Sequence, residues 1–320
     1  VTEPTAPVFS HSAIDRDAAA RADPALEAAL DTGSTTLVIV LHQGRALLEQ
    51  RVEGSPTALQ LARPQQLPAG LSAPLLRCYL GRTDGLRFEL RVVDSDAAAL
   101  IEPEDGRWQS LRDAAPSLSE RDASLFAEAL ALANWHERHV RCPRCGAETE
   151  PVQAGWARRC IADASMHFPR TDPAVIVLVT DDDDRVLLGS NALWQQHRFS
   201  LLAGFVEPGE TLEAAVVREI REEAGIEVDR VAYVASQPWP FPASLMLGFT
   251  ARIAATVDPA SALADGEEIL ELRWFTRDQI AAAGSEIGLP GGISIARWLL
   301  ERWYGAPLDA EGRGLAWSTS

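Results

Sequence analysis

The sequence predicts an α+β chain in three parts: an N-terminal β-rich α/β domain (1–136), a short cysteine-bearing segment (137–170), and a C-terminal α/β sandwich on a mixed sheet (171–320). Three observations carry this reading. Short β-branched runs separated by Gly, Pro and Asp turns fill the stretch from Ser34 to about Pro116. Three of the four cysteines, Cys142, Cys145 and Cys160, cluster in the middle of the chain. Beyond them strands alternate with amphipathic helices, the order expected when helices cover a sheet. A chain of 320 residues is long for one domain and comfortable for two.

In chain order, residues up to about 33 are rich in Ala, Asp and Pro and read as a surface arm with one short helix around Asp23 to Leu30. Strands are expected at Thr36 to Leu41, Arg45 to Leu48 and Phe88 to Val93. Ser117 to Glu137 reads as a helix, because Ser119 can cap it and Leu125, Ala129, Leu132 and Trp135 recur at helical spacing. This first half holds no constellation of acids, histidines or glycines that suggests chemistry, so it is read as a packing or dimerisation domain.

In the second half Ala174 to Thr180 and Arg185 to Leu188 flank an acidic turn, a hairpin signal. The turn, Asp181 to Asp184, lacks the alternate-residue spacing and distal Glu of an EF-hand loop and reads as a solvated turn. A helix over Thr211 to Ala224 follows, then strands at Arg230 to Ser236, Leu245 to Ala254 and Glu271 to Thr276. A last helix runs through Ile293 to Trp303, entered by Gly291-Gly292. No internal repeat is visible.

Composition narrows the function classes. Hydrophobic residues at 47% and charged residues at 23% argue against wholesale disorder. A formal net charge of -17 disfavours a protein whose affinity comes from the nucleic-acid backbone, where Lys and Arg must neutralise phosphates. It still permits docking of one anionic end group in a local positive pocket, particularly with a divalent metal. No apolar run approaches the roughly 20 residues of a membrane span, and no basic stretch followed by an apolar one opens the chain. A cytoplasmic protein without a membrane partner is the expectation. In that compartment clustered cysteines read as metal before disulfide, while Cys78, in strand-like sequence, reads as a buried free thiol.

The strongest chemical signal lies in Gly204-Phe-Val-Glu-Pro-Gly-Glu210 running into Thr211 to Ile226. Glu219, Glu222 and Glu223 stand at i, i+3 and i+4, so a helix brings all three carboxylates to one face. Unscreened, such like charges cost a few tenths of a kcal/mol per pair. A hard cation such as Mg²⁺ or Mn²⁺ turns that cost into a binding site, since it takes oxygen ligands and keeps waters for substrate phosphates. Leu212, Ala215, Val216 and Ile220 can anchor the helix to a sheet, and Gly225 permits a left-handed stop. An ordinary Glu-rich surface helix is the commoner meaning of such a string taken alone.

The wider spacing decides between these readings. Gly204, Glu210, Arg218, Glu219, Ile220, Glu222, Glu223, Gly225 and Ile226 match every fixed position of the Nudix box, G-x5-E-x7-R-E-U-x-E-E-x-G-U. Resemblance to the Nudix hydrolases implies an α/β/α sandwich for 171–320, with Glu219, Glu222 and Glu223 as catalytic metal ligands and an Arg218–Glu210 salt bridge in support.

Beyond the box, Ser236-Gln-Pro-Trp-Pro-Phe-Pro-Ala-Ser244 carries three prolines that stiffen the chain and remove backbone donors. Read from residues alone, it is a rigid loop anchored by Trp239 and Phe241. It resembles S-Q-P-W-P-F-P-x-S, the mark of the NADH pyrophosphatase subfamily. That resemblance implies hydrolysis of NAD(H) to NMN(H) and AMP, and removal of NAD caps from RNA 5′ ends. It also implies substrate contacts from Phe168, Phe205, Gln237, Ser244, Glu268 and the backbone of Ala296. Glu268 is implied as a further metal ligand, with Glu267 beside it, and the assembly as a homodimer whose pocket draws on both chains.

Glu223 and Glu268 both remain open as the general base, and a lone His197 beside a strand reads as structural. In Cys142-Pro-Arg-Cys145-Gly two thiolates stand three residues apart with Gly for the reversal, and Cys160 follows as in a zinc ribbon. Asp163 stands where a fourth Cys is expected. Two readings stay open: Zn²⁺ on the three cysteines with Asp163 or His167 as fourth ligand, or a lost fourth ligand and a weak or empty site; in both the role is structural. Two other functions compete. One is a Nudix hydrolase of ADP-ribose or dinucleoside polyphosphates, against which the proline–aromatic segment argues. The other is a non-catalytic zinc-ribbon RNA-binding protein, against which the intact carboxylates and the acidic charge argue.

Overall fold

Aliphatic runs with opposite-facing side chains build the sheet that carries the carboxylate helix. In β9 (Asp172–Thr180), Val175, Val177 and Val179 face one way and Ile176 and Leu178 the other, and all five are buried. A strand apolar on both faces belongs in the middle of a covered sheet, and β9 is there. The computed structural model describes residues 6–10, 14–49, 57–194, 197–282 and 287–308. The chain forms two units, one of Val1–Ser10, Asp172–Pro238 and Ser244–Ser320, the other of His11–Thr171 with Trp239–Ala243.

In the first unit β9 is joined by β10 (Val186–Asn191), β11 (Leu202–Phe205), β12 (Val228–Trp239), β13 (Ser244–Ile253) and β14 (Ile269–Phe275). The order is β12-β13-β9-β10-β14, with β11 also on β9. β13 runs parallel to β9, while β10 and β11 run antiparallel to it, so the sheet is mixed. Helix α5 (Leu212–Ala224) packs Ala215, Val216, Ile220 and Ala224 onto the Val175–Val177–Val179 face. Helix α7 (Ile295–Tyr304) packs Ile295, Leu299 and Leu300 onto the Ile176–Leu178 face. The result is the α/β/α sandwich with mixed sheet expected of this half. A short helix α6 (Arg277–Ala282) follows β14.

The acidic turn between β9 and β10 is spent on arginines. Asp181 takes Arg185, Asp182 takes Arg252, and Asp184 takes Arg277. It is a braced hairpin turn.

The second unit opens with α1 (Leu26–Thr32) and a five-stranded sheet in the order β3-β4-β1-β2-β5. Its strands are β1 (Thr36–His42), β2 (Arg45–Leu47), β3 (Leu76–Thr83), β4 (Leu86–Val92) and β5 (Trp108–Ser110). Helices α2 (Ser95–Ile101), α3 (Leu111–Ala114) and α4 (Glu120–Arg138) complete it. Ser119 caps α4 by accepting from the Asp122 N–H, as its position suggests. A three-stranded sheet of β6 (Thr149–Val152), β7 (Ala157–Cys160) and β8 (Met166–His167) follows. Cys78 is buried and free.

The N-terminal segment departs from expectation. Residues 1–5 and 11–13 lie outside the described residues, but the rest is no surface arm. Phe9 and Ile14 are buried, and Leu26 and Leu30 pack on Tyr79. Asp15 and Arg82 exchange two backbone hydrogen bonds. The Ala- and Asp-rich composition hid an i, i+4 apolar pair and a strand-like bridge to distant sequence. No helix among the described residues is long and apolar enough to cross a membrane.

Candidate active site

Helix α5 starts at its N-cap Thr211, whose side chain accepts from the Ala214 N–H, and stops at Gly225 in the left-handed region (φ 66°). Between these caps the i, i+3, i+4 spacing puts Glu219, Glu222 and Glu223 on adjoining turns. Arg218 is the hub of the helix surface. Its Nε and Nη2 donate to the two oxygens of Glu210 at 2.9 Å each, a bidentate pair. Its Nη1 donates to Glu219 (2.8 Å) and Glu222 (2.9 Å), and its Nη2 also reaches the Phe205 carbonyl. The hydrogen bond to Glu210 comes first among the causes that hold this guanidinium protonated.

The carboxylates differ in setting. Glu222 is exposed, Glu219 half-buried and Glu223 buried at 4% exposure. Burial, followed by the charges of Glu219, Glu268 and Asp265, pushes the Glu223 carboxyl up to about 8. Its Oε2 has no hydrogen-bond partner among the described residues. Burial also raises Glu219, against the pull of Arg218. Antiparallel pairing of β11 with β9 brings Gly204 against α5, where a Cβ would fall 2.0 Å from the Glu219 Cδ.

Glu268 comes from the other edge of the sheet. A bulge at Ser190/Asn191 in β10 sets Asn191 opposite Ile269, and the Asn191 Nδ2 lies 3.4 Å from the Glu268 Oε1. Asp265 fixes the turn: its Oδ1 accepts from the N–H groups of Glu267, Glu268 and Ile269. Neither Asn191 nor Asp265 was singled out from sequence; Asp265-Gly-Glu-Glu268 carried an Asx-turn signal. The carboxylate set, with a sealed oxygen lacking any donor, suits a hard divalent cation. Glu219, Glu222, Glu223 and Glu268 are the residues that would hold it.

The other expected ligand residues fall in varied settings. Phe205 ends β11 as a 60% exposed residue, and Ser244 opens β13 half-buried. Phe168, in the other unit, is also exposed. Ala296 lies in the first turn of α7. Gln237, expected at the dinucleotide, is wholly buried. Its Nε2 donates to the Val8 and Ile293 carbonyls (2.8 and 2.7 Å) and its Oε1 accepts from the Ile295 N–H (2.8 Å). Both amide donors are thus consumed by the protein itself. His197 is exposed, and its carbonyl accepts from Gly288.

Within the second unit, residues Trp239–Ala243 of the proline–aromatic segment are held by two side chains that sequence did not suggest. Asn134 donates to the carbonyls of Pro240 (3.0 Å) and Pro242 (3.2 Å). The Arg112 guanidinium lies 3.9 Å over the Phe241 ring and 5.3 Å from that of Trp239.

The cysteine segment gathers Cys142, Cys145, Cys160 and Asp163, whose ligand atoms all lie within 4.8 Å of one another. Four ligands at zinc distances stand about 3.3–3.8 Å apart, so modest contraction suffices. Among the described residues this is the group of His, Cys, Asp and Glu whose ligand atoms gather this closely. Hydrogen bonds from Ser165 hold the Asp163 carboxyl down to about 2, so it stays anionic. His167 stands outside the quartet, 3.2 Å from the Ser165 hydroxyl.

Three family models match the chain. Residues 170–291 match the NUDIX domain, 35–135 the NADH pyrophosphatase-like rudimentary NUDIX domain, and 137–168 the NADH pyrophosphatase zinc ribbon domain. The chain is 42% identical over 236 residues to the "NAD-capped RNA hydrolase NudC" of Mycobacterium bovis, spanning 70% of this chain and 74% of that protein. It is 38% identical over 200 residues to the human "NAD-capped RNA hydrolase NUDT12", spanning 58% of this chain and 42% of that one. A crystal structure of a NUDIX hydrolase from Nitrosomonas europaea aligns with a TM-score of 0.40 at 24% identity, covering 52% of this chain and 94% of the other. The chain belongs to the Nudix hydrolases, in the NADH pyrophosphatase family with its zinc ribbon and rudimentary second Nudix domain.

Proposed function

We propose that this protein hydrolyses the diphosphate of NAD(H) to NMN(H) and AMP, and removes the NAD cap from RNA 5′ ends by the same chemistry. The single observation that carries the reading is the intact carboxylate face of α5, braced by Arg218 and continued by Glu268, in a chain whose relatives are named for NAD-capped RNA hydrolysis. Domain roles follow: 171–320, joined by the residues before position 11, for catalysis, 137–170 for the zinc ribbon, and the rest of 1–136 for structure and dimerisation.

When bound, Mg²⁺ or Mn²⁺ supplies charge neutralisation on the diphosphate and lowers the pKa of water. The protein's own groups do the rest. Glu219, Glu222, Glu223 and Glu268 supply the oxygens of the metal site. Of the two candidates for proton acceptor, Glu268 stands in solvent within reach of water, whereas Glu223 is sealed. We assign the proton to Glu268 and the buried ligand position to Glu223. The exposed Phe205 and Phe168 rings offer faces for the bases, and Ser244 and the Ala296 backbone offer polar contacts. Gln237 acts from behind, setting the entry to α7. Cys142, Cys145, Cys160 and Asp163 hold zinc for structure only.

We further propose a cytoplasmic homodimer. Three cysteines gathered as thiolate ligands for zinc suit a reducing compartment, and analytical ultracentrifugation tests the dimer.

The decisive experiment follows AMP release from NADH by the full chain with Mg²⁺ or Mn²⁺, alongside ADP-ribose, diadenosine polyphosphates and NAD-capped RNA. Turnover of NADH and the capped RNA is expected, lost in Glu222→Gln without loss of folding. Absence of AMP from NADH removes the reading, and a preference for ADP-ribose replaces it with another Nudix activity.

A further inference from the structure

The segment Ser236 to Ser244 poses a hydrogen-bonding problem. Pro238, Pro240 and Pro242 have no N–H, so this stretch presents carbonyls without the usual backbone donors. The Phe241 N–H serves the Trp239 carbonyl, and the carbonyls of Pro240 and Pro242 take their donor from a side chain. Asn134, half-buried on α4, offers one planar amide with two N–H groups. It directs Nδ2 to the carbonyls of Pro240 and Pro242 at 3.0 and 3.2 Å. These carbonyls bracket Phe241, whose ring stands edge-on to Trp239 (centroids 5.0 Å apart, 71° between planes) beneath the Arg112 guanidinium. One side chain thereby fixes the backbone on both sides of the ring, and with it the pose of the aromatic pair.

We propose that Asn134 is a positioning residue for substrate recognition: through the Pro240 and Pro242 carbonyls it holds the Trp239–Phe241 pair in the pose that the dinucleotide meets. The proposal rests on the reading of this segment as part of the NAD(H) site. Asn134 itself need touch no substrate; it works through the backbone of the segment. The helix that carries it gave no hint of this in sequence.

The test compares Asn134→Leu, of similar size without donors, and Asn134→Asp, which sets a carboxylate against two carbonyls, with Asn134→Gln, which keeps the amide. All are made in the full chain and assayed with NADH and Mg²⁺. Losing both hydrogen bonds is expected to raise KM about ten-fold, with kcat within about two-fold, and Asn134→Gln to recover part of it. In protein labelled with fluorotryptophan, the Trp239 resonance, assigned by its loss in Trp239→Phe, is expected to shift and broaden in the Leu and Asp variants. An unmoved resonance with unmoved KM in either folded variant overturns the proposal. A moved resonance with unmoved KM also overturns the recognition role, but it leaves Asn134 as the anchor and locates the failure in the reading of the segment as a substrate element. Unchanged KM in Trp239→Ala checks that second failure independently.

Discussion

Gly204 and Glu219 are packed so closely that no side chain fits between them: a Cβ at 204 would sit 2.0 Å from the Glu219 Cδ and 2.1 Å from its Oε1. The glycine is required by a carboxylate, and not by a left-handed backbone. Gly204→Ala is therefore expected to push Glu219 off its position while the fold survives. Displacing a catalytic group by about 1 Å can cost about a hundred-fold in rate. Steady-state kinetics with NADH should show that loss in kcat, and circular dichroism an unchanged fold. An active Gly204→Ala enzyme would remove Glu219 from the catalytic set.

Arg218 serves Glu210, Glu219, Glu222 and the Phe205 carbonyl with one planar fork. A lysine keeps the charge but cannot span those directions. Arg218→Lys is expected to lower kcat/KM about ten-fold or more and to lower the urea midpoint, because Glu210 loses its bidentate partner. Urea denaturation beside NADH kinetics checks both. Wild-type values on both axes would reduce the hub to surface decoration.

At the ribbon, Asp163→Ala is expected to weaken zinc binding by about a hundred-fold or more, beyond the range typical of outer-sphere changes. Asp163→Cys should tighten it, and His167→Ala should leave zinc content unchanged. Competition against a chromogenic chelator reads all three. Zinc lost in His167→Ala but kept in Asp163→Ala would exchange the roles of these residues.

A pH effect is expected in the second unit. Burial pushes the Glu128 carboxyl up to about 7, against the opposing pull of Arg16 and Arg21. A carboxyl raised in the folded state adds stability that is fully present below its ordinary value, near 4.5, and is lost as pH climbs through about 7. Glu128→Gln removes that titration. Calorimetric Tm is expected to fall less steeply for the variant than for wild type between about pH 5 and about pH 8. Parallel profiles would show that Glu128 titrates normally.

Local patterns were legible in the sequence and distant pairings were not. The face made by Glu219, Glu222 and Glu223 and the Gly225 stop each depend on residues within one helix, and both could be read from spacing. β9 was legible as a strand from its continuous aliphatic run. By contrast, the company of Glu268 depends on Asn191, brought over by a bulge between β10 and β14. The amide of Gln237 looks free for a ligand in a short motif. Its partners Val8, Ile293 and Ile295 arrive from three remote places, which no motif reports. Leu26 and Leu30 were hidden by the alanines around them, since composition blurs a two-residue apolar contact.

The hydrogen bond from Gln237 to Val8 also bears on protein engineering. The catalytic half is not one uninterrupted piece of gene: its unit includes residues from before position 11 as well as those after 171. A gene trimmed to begin at 170, where the NUDIX match starts, would delete the Val8 carbonyl and strand a buried amide donor of Gln237, at a cost of about 1–3 kcal/mol. Minimal catalytic fragments, split reporters and affinity tags placed close to Val8 all meet the same obstacle. The short leading segment has to travel with the second half, joined by a linker or supplied as a separate peptide.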